Sequence, residues 1–152
     1  MADIVSENKR SEIMSKVPQR DSKQEILVRK FLFAHGHRFR KNDKRLPGSP
    51  DIVLPKYKTV IFVHGCFWHG HEDCQAARLP STRNKFWQEK IFQNIERDNR
   101  KMSELHSMGW HVITVWQCEL KNKAAQEDRL NRLLREIDYN LRTGGLLCKR
   151  RV

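Results

Sequence analysis

Val60-Ile61-Phe62-Val63-His64-Gly65-Cys66-Phe67-Trp68-His69-Gly70-His71-Glu72-Asp73-Cys74 is the stretch on which the rest of the chain turns. Its first four residues are β-branched or aromatic and read as a buried strand. The eleven that follow hold three histidines, two cysteines and two adjacent large aromatics. Side chains able to bind a metal or move a proton therefore leave the end of a rigid element, where a site is best held.

Asp51-Ile52-Val53-Leu54 precedes this run, joined to it through Pro55-Lys56-Tyr57-Lys58. So short a connector predicts a β-hairpin. By itself Pro50-Asp51 is an ordinary turn carboxylate. In a hairpin, however, the head of the first strand lies beside the end of the second. Asp51 then faces Val63, His64 and the loop carrying His69. Oxygen ligands suit Mg²⁺, which can polarise a phosphodiester, and a nearby neutral imidazole can take a proton from water.

Cys66, His71, Cys74 and the distant Cys118 offer three thiolates and an imidazole, a set that Zn²⁺ takes in closed tetrahedral sites. Spacing alone also allows Cys66 with His69. Cys118 has a blander reading as a small buried hydrophobe. A zinc with four protein ligands has no open position for chemistry; it would pin a loop too polar to bury itself. Cys148, in the basic tail, reads as a free thiol.

Outward from the centre, Ser22 or Asp21 caps a helix with Glu25 in its first turn. Ile26, Leu27, Phe31 and Leu32, with Val28 beside them, form its stripe up to Gly36. His37 to Arg40 reads as a short strand. A long helix from Thr82 to Gly109 carries Phe86, Ile91, Ile95, Met102, Leu105 and Met108. Trp110 to Trp116 is a further strand. Leu130, Leu133, Leu134, Ile137 and Leu141 mark a last helix ending at Gly144-Gly145. Helix, strand pair, helix, strand and helix make an α/β domain. We expect a basic arm over residues 1–20, the domain over 21–145 and a basic tail over 146–152.

The chain has 152 residues and a formal net charge of +12, from thirty Lys and Arg against eighteen Asp and Glu. That balance favours a polyanionic partner, nucleic acid before an anionic membrane surface. No apolar run reaches the length of a membrane span and no leader pattern is seen, so a cytoplasmic protein is expected. One basic domain needs no second copy, so a monomer is expected.

Pro50-Asp51, the block from Val60 to His69, Thr82-Arg83, Phe86-Trp87, Lys90-Ile91, Asn94, Glu96-Arg97-Asp98, Gly109-Trp110, Val115-Trp116 and Cys118 together resemble the very-short-patch (Vsr) DNA mismatch endonucleases. The match covers roughly residues 8 to 120, and the block ending in Cys-Phe-Trp-His is its most specific part. The resemblance implies a restriction-endonuclease-like mixed β-sheet flanked by helices. It implies Mg²⁺-dependent, strand-specific nicking of duplex DNA 5′ of the thymine in a T·G mismatch left by 5-methylcytosine deamination.

By resemblance, Asp51 and the main-chain carbonyl of Val63 bind Mg²⁺, His69 is the general base, His64 sits near the phosphate, and Glu25 acts through water. Cys66, His71, Cys74 and Cys118 hold the structural Zn²⁺. Val63 stands where the family pattern has Thr, so a backbone contact survives there and a hydroxyl contact does not. The segment from His71 to Cys74 is one residue longer than the family form.

Phe67, Trp68 and Trp87 would insert beside the mispair as a wedge, with Met14 and Val17 entering from the other groove. Phe86 reads as helix core, and Trp87 reads equally as core or wedge. Lys90 and Asn94, one turn apart, could reach base edges or phosphates. Arg83, Arg97, Arg100 and Lys101 would make general phosphate contacts. Accessory repair proteins are conceivable partners without a readable signal. Two rival functions are a restriction-type nuclease of the same fold, which needs no wedge, and a non-catalytic zinc-stabilised DNA-binding module, which needs neither Asp51 nor His69.

Overall fold

The strand Thr59–His64 (β3) runs through the middle of the molecule, and five of its six residues are buried. The computed structural model describes residues 22–150, with side chains from 22 to 142. A four-stranded sheet is ordered β1 (Arg40–Lys41), β2 (Ile52–Leu54), β3 and β4 (His111–Trp116). β2 pairs antiparallel with β3, Ile52 opposite Ile61 and Leu54 opposite Thr59. β3 pairs in parallel with β4, from Thr59 with His111 to His64 with Trp116. The predicted hairpin is therefore present. Its connector is one 3₁₀ turn, Pro55–Tyr57, closed by Lys58 in the left-handed region at φ 51°.

Alternation along the strands sorts the core into two layers. Ile52, Leu54, Ile61, Ile113 and Val115 face one side, where Val28 and Leu32 of α1 (Lys23–Ala34) and Leu130, Leu133 and Ile137 of α3 (Lys123–Arg150) cover them. Val53, Val60 and Phe62 face the other, packed with Leu105 of α2 (Asn84–Ser107). Covered on both faces, β3 reads as an unbroken apolar run.

Three features differ from expectation. The edge strand begins at Arg40 rather than His37, because the His37 N–H is still committed to the Leu32 carbonyl at the end of α1, at 3.0 Å. On α1 the inward residues are Val28 and Leu32, with Glu25 and Arg29, while Ile26 is 38% exposed. The last helix does not stop at Gly144-Gly145 but continues to Arg150, so the expected tail partly extends α3. No helix among the described residues is long and apolar enough to cross a membrane.

Candidate active site and metal centre

The hairpin register puts Asp51, one residue ahead of β2, beside the end of β3. Its Oδ2 accepts the Val63 N–H at 2.7 Å. Burial pushes the Asp51 carboxyl up to about 6; the Val63 hydrogen bond opposes this, and the nearby Glu25 charge adds to it. Glu25 is buried on α1, with Arg29 one turn on at 4.0 Å. Glu25, Asp51, Val63, His64 and His69 all line one cleft of about 980 Å³.

The loop after β3 is tight. His69 N–H donates to the Gly65 carbonyl at 3.2 Å, and His71 N–H donates to the Cys66 carbonyl at 3.0 Å. Gly70 has φ +58°, and a Cβ there would lie 2.5 Å from Ile95 Cδ1 and 2.8 Å from Ile91 Cγ2. This close approach to α2 separates the two loop histidines. His69 turns to α2, its Nδ1 2.6 Å from Asp98 Oδ2. His71 instead stacks on Trp116, centroids 4.0 Å apart and planes 9° apart.

His64 is buried and stacks on His69 at 3.7 Å with planes 4° apart. Burial, then the neighbouring His69, pushes it down to about 3, so it stays neutral. Its Nδ1 is buried with no hydrogen-bond partner among the described residues.

His71 joins Cys66, Cys74 and Cys118, whose ligand atoms all lie within 4.8 Å of one another. Cys118 N–H donates to Cys66 Sγ at 3.4 Å, and Cys118 Sγ lies 3.5 Å from His71 Nδ1. Tetrahedral zinc, with Zn–S near 2.3 Å and Zn–N near 2.1 Å, separates such ligands by about 3.6–3.8 Å. The donor set and its spacing thus fit Zn²⁺. With no cation, burial and the adjacent Cys66 sulfur push the Cys118 thiol up to about 12; a cation is what lets all three sulfurs ionise. No disulfide joins Cys66, Cys74 or Cys118.

Helix α3 braces this centre. Cys118 sits in the 3₁₀ turn Gln117–Leu120. Glu119 Oε1 accepts the Trp116 N–H at 2.8 Å, and its Oε2 pairs with Arg132 at 2.7 Å and Arg129 at 3.1 Å. Arg129 is itself buried and reaches the Thr114 carbonyl and Glu136.

Phe67, Trp68 and Trp87 form a half-buried ring cluster, with centroids 5.1, 5.3 and 5.9 Å apart. Phe86 departs from its core reading: it is 44% exposed, with the Arg83 guanidinium 4.4 Å over its ring. Lys90 is exposed. Asn94, expected to face DNA beside it, is instead buried and donates Nδ2–H to the Trp68 carbonyl at 2.9 Å. It holds the aromatic loop from behind. Met14 and Val17 lie outside the described residues, and so does the side chain of Cys148.

Against known proteins, the family description "DNA mismatch endonuclease Vsr" matches residues 2–76. A type II nicking enzyme of Neisseria meningitidis serogroup A, V.NmeAIP, is 56% identical over 137 residues, covering 90% of this chain and 97% of the relative. The DNA mismatch endonuclease Vsr of Escherichia coli is 43% identical over 128 residues, covering 84% and 81%. The chain belongs to the Vsr family.

In this Vsr-family chain the structure brings Asp51, His64, His69 and Glu25 to one cleft, and gathers Cys66, His71, Cys74 and Cys118 apart from it. Sequence reasoning gave Asp98 no role in the site. The available signal was a pair of polar residues, Asn94 and Asp98, breaking the apolar stripe that Ile91 begins on α2. Polar groups on an inward face have partners, and here those partners are the loop after β3.

Proposed function

We propose that this chain nicks one strand of duplex DNA 5′ of the thymine in a T·G mismatch left by 5-methylcytosine deamination, using Mg²⁺ at Asp51 and a structural Zn²⁺. The observation that carries the reading is the meeting, in one cleft, of the strand-head carboxylate with the His69–Asp98 pair. A binding module has no need of either group. The relatives, nicking enzymes and a mismatch endonuclease, support DNA nicking at a mismatch.

Asp51 and the Val63 carbonyl would hold Mg²⁺. A strand residue directs its N–H and C=O to the same side, and the Val63 N–H already points to Asp51. When bound, the ion polarises the phosphodiester and stabilises the leaving oxygen. Asp98 accepts the Nδ1–H of His69, which leaves the Nε2 lone pair free to take a proton from the attacking water. Neutral His64 supports the His69 ring from one face, and Glu25 orients water beside Asp51.

Cys66, His71, Cys74 and Cys118 would hold Zn²⁺, fixing the loop that presents His69. Phe67, Trp68 and Trp87 form the wedge; unstacking costs a few kcal/mol per step and less at a mispair, so mismatched sites are favoured. Exposed Lys90 reaches DNA directly, and Asn94 acts through the loop it holds. Arg83, Arg97, Arg100 and Lys101 meet phosphates. The mixed sheet with a carboxylate at a strand head accords with a restriction-endonuclease-like fold, acting as a monomer.

The test is nicking of a T·G duplex and its matched counterpart, in Mg²⁺ and in EDTA. Nicking confined to the thymine strand of the mismatched duplex and to Mg²⁺ is expected. Equal cutting of the matched duplex would favour a restriction-type nuclease instead.

A further inference from the structure

Residues 42–49, Asn-Asp-Lys-Arg-Leu-Pro-Gly-Ser, run along the cleft, which Arg97 and Lys101 of α2 also line. The loop is anchored at both ends. Asn42 N–H donates to the Asp51 carbonyl at 3.1 Å. Gly48, at φ +77°, approaches α2 so closely that a Cβ would lie 3.1 Å from Lys101 Cβ and 3.3 Å from Phe62 Cζ.

Between the anchors, one carboxylate is committed to one arginine. Asp43 accepts from Arg45 three times: N–H and Nε–H to Oδ1 at 3.0 Å each, and Nη2–H to Oδ2 at 2.9 Å. The Asp43 side chain is 7% exposed and that of Arg45 71% exposed. The fork takes two of the five guanidinium donors and leaves three for a ligand. Exposed ion pairs add little stability. A guanidinium held in one orientation on a cleft lip, by contrast, suits bidentate phosphate recognition and loses little further entropy on binding.

We propose that Asp43 and Arg45 form a phosphate clamp: Asp43 presets the Arg45 guanidinium to receive a DNA backbone phosphate flanking the one cut at Asp51. The clamp rests on the duplex-nicking reading above. Arg45 is the contacting group and Asp43 a positioning residue. Backbone entering the cleft meets this clamp together with Arg97 and Lys101, which line the same cleft.

Simple electrostatics and the clamp give opposite signs for Asp43. Removing a negative charge from a DNA-binding surface should tighten binding; removing the group that orients Arg45 should weaken it. Equilibrium binding of the full chain to T·G and matched duplexes, over a salt series without Mg²⁺, tells them apart. Arg45→Ala is expected to weaken binding to both duplexes about tenfold and to lower the slope of log K against log salt by about 1. Arg45→Lys, which keeps the charge and loses the fork, should fall nearer to the alanine variant than to wild type. Asp43→Asn should weaken binding in the wild-type background and add no loss on top of Arg45→Ala.

The clamp is overturned if Arg45→Ala binds like wild type. It is equally overturned if Asp43→Asn tightens binding, or weakens it as much in the Arg45→Ala background as in wild type. A wild-type chain that neither binds nor nicks duplex DNA would sink the nicking reading and the clamp together. A wild type that nicks, with Arg45→Ala binding unchanged, sinks the clamp alone.

Discussion

At the residue scale the proposed chemistry rests on Asp51, and its environment sets a pH dependence. Burial lifts its carboxyl to about 6, so protons and the proposed Mg²⁺ would compete for it near neutral pH. Nicking is expected to fall as pH drops through about 6, and added Mg²⁺ should carry that fall to lower pH; an acid limb indifferent to Mg²⁺ would count against Asp51 as ligand. The same shift acts on stability. The native carboxyl binds its proton more tightly than the unfolded one, so the metal-free fold loses stability as pH rises from about 4 to 6. Asp51→Asn, which can still accept the Val63 N–H, should therefore unfold at higher urea than wild type at pH 7 without metal. Asp51 was legible because the hairpin placed it. Asp98 was not, because one carboxylate among the many charges of α2 looks like surface until the loop is seen to land on it.

At the element scale, the loop after β3, which carries Cys66, His71 and Cys74, tolerates little change. Gly70→Ala puts a Cβ against Ile91 and Ile95 in a left-handed backbone. The two effects together are expected to cost about 2–4 kcal/mol, read by urea denaturation. Stripping zinc with a chelator should unfold the loop, exposing Trp68 and Trp116 to solvent, with nicking lost in step; unchanged tryptophan fluorescence after zinc removal would refute the structural role. The hairpin, α2 and β4 were readable from periodicity because burial on two sheet faces leaves a plain apolar pattern. The end of α3 was not. Glycine costs a helix only about 1 kcal/mol, so Gly144-Gly145 permits a stop without enforcing one, and the helix goes on to Arg150. Phe86 was misread for a related reason: on the exposed first turn of a helix, helical spacing does not guarantee something to pack against.

Across the whole molecule, a net charge of +12 announced a polyanionic partner but could not say where it binds. The proposed nicking places it at the cleft. α1 and α3 cover one face of the sheet, α2 the other, and the strand ends open onto a cleft whose lips carry Arg45, Arg97 and Lys101. In the proposed mechanism cutting and holding DNA fall to different residues, and the two can be pulled apart. The most direct measurement is T·G duplex affinity and single-turnover nicking, side by side, for Asp51→Ala and His69→Ala. Near-wild-type affinity with nicking reduced at least about 10²-fold in both is the expected result; nicking at the wild-type rate in either variant would contradict a cleft in which that carboxylate and that imidazole do the cutting.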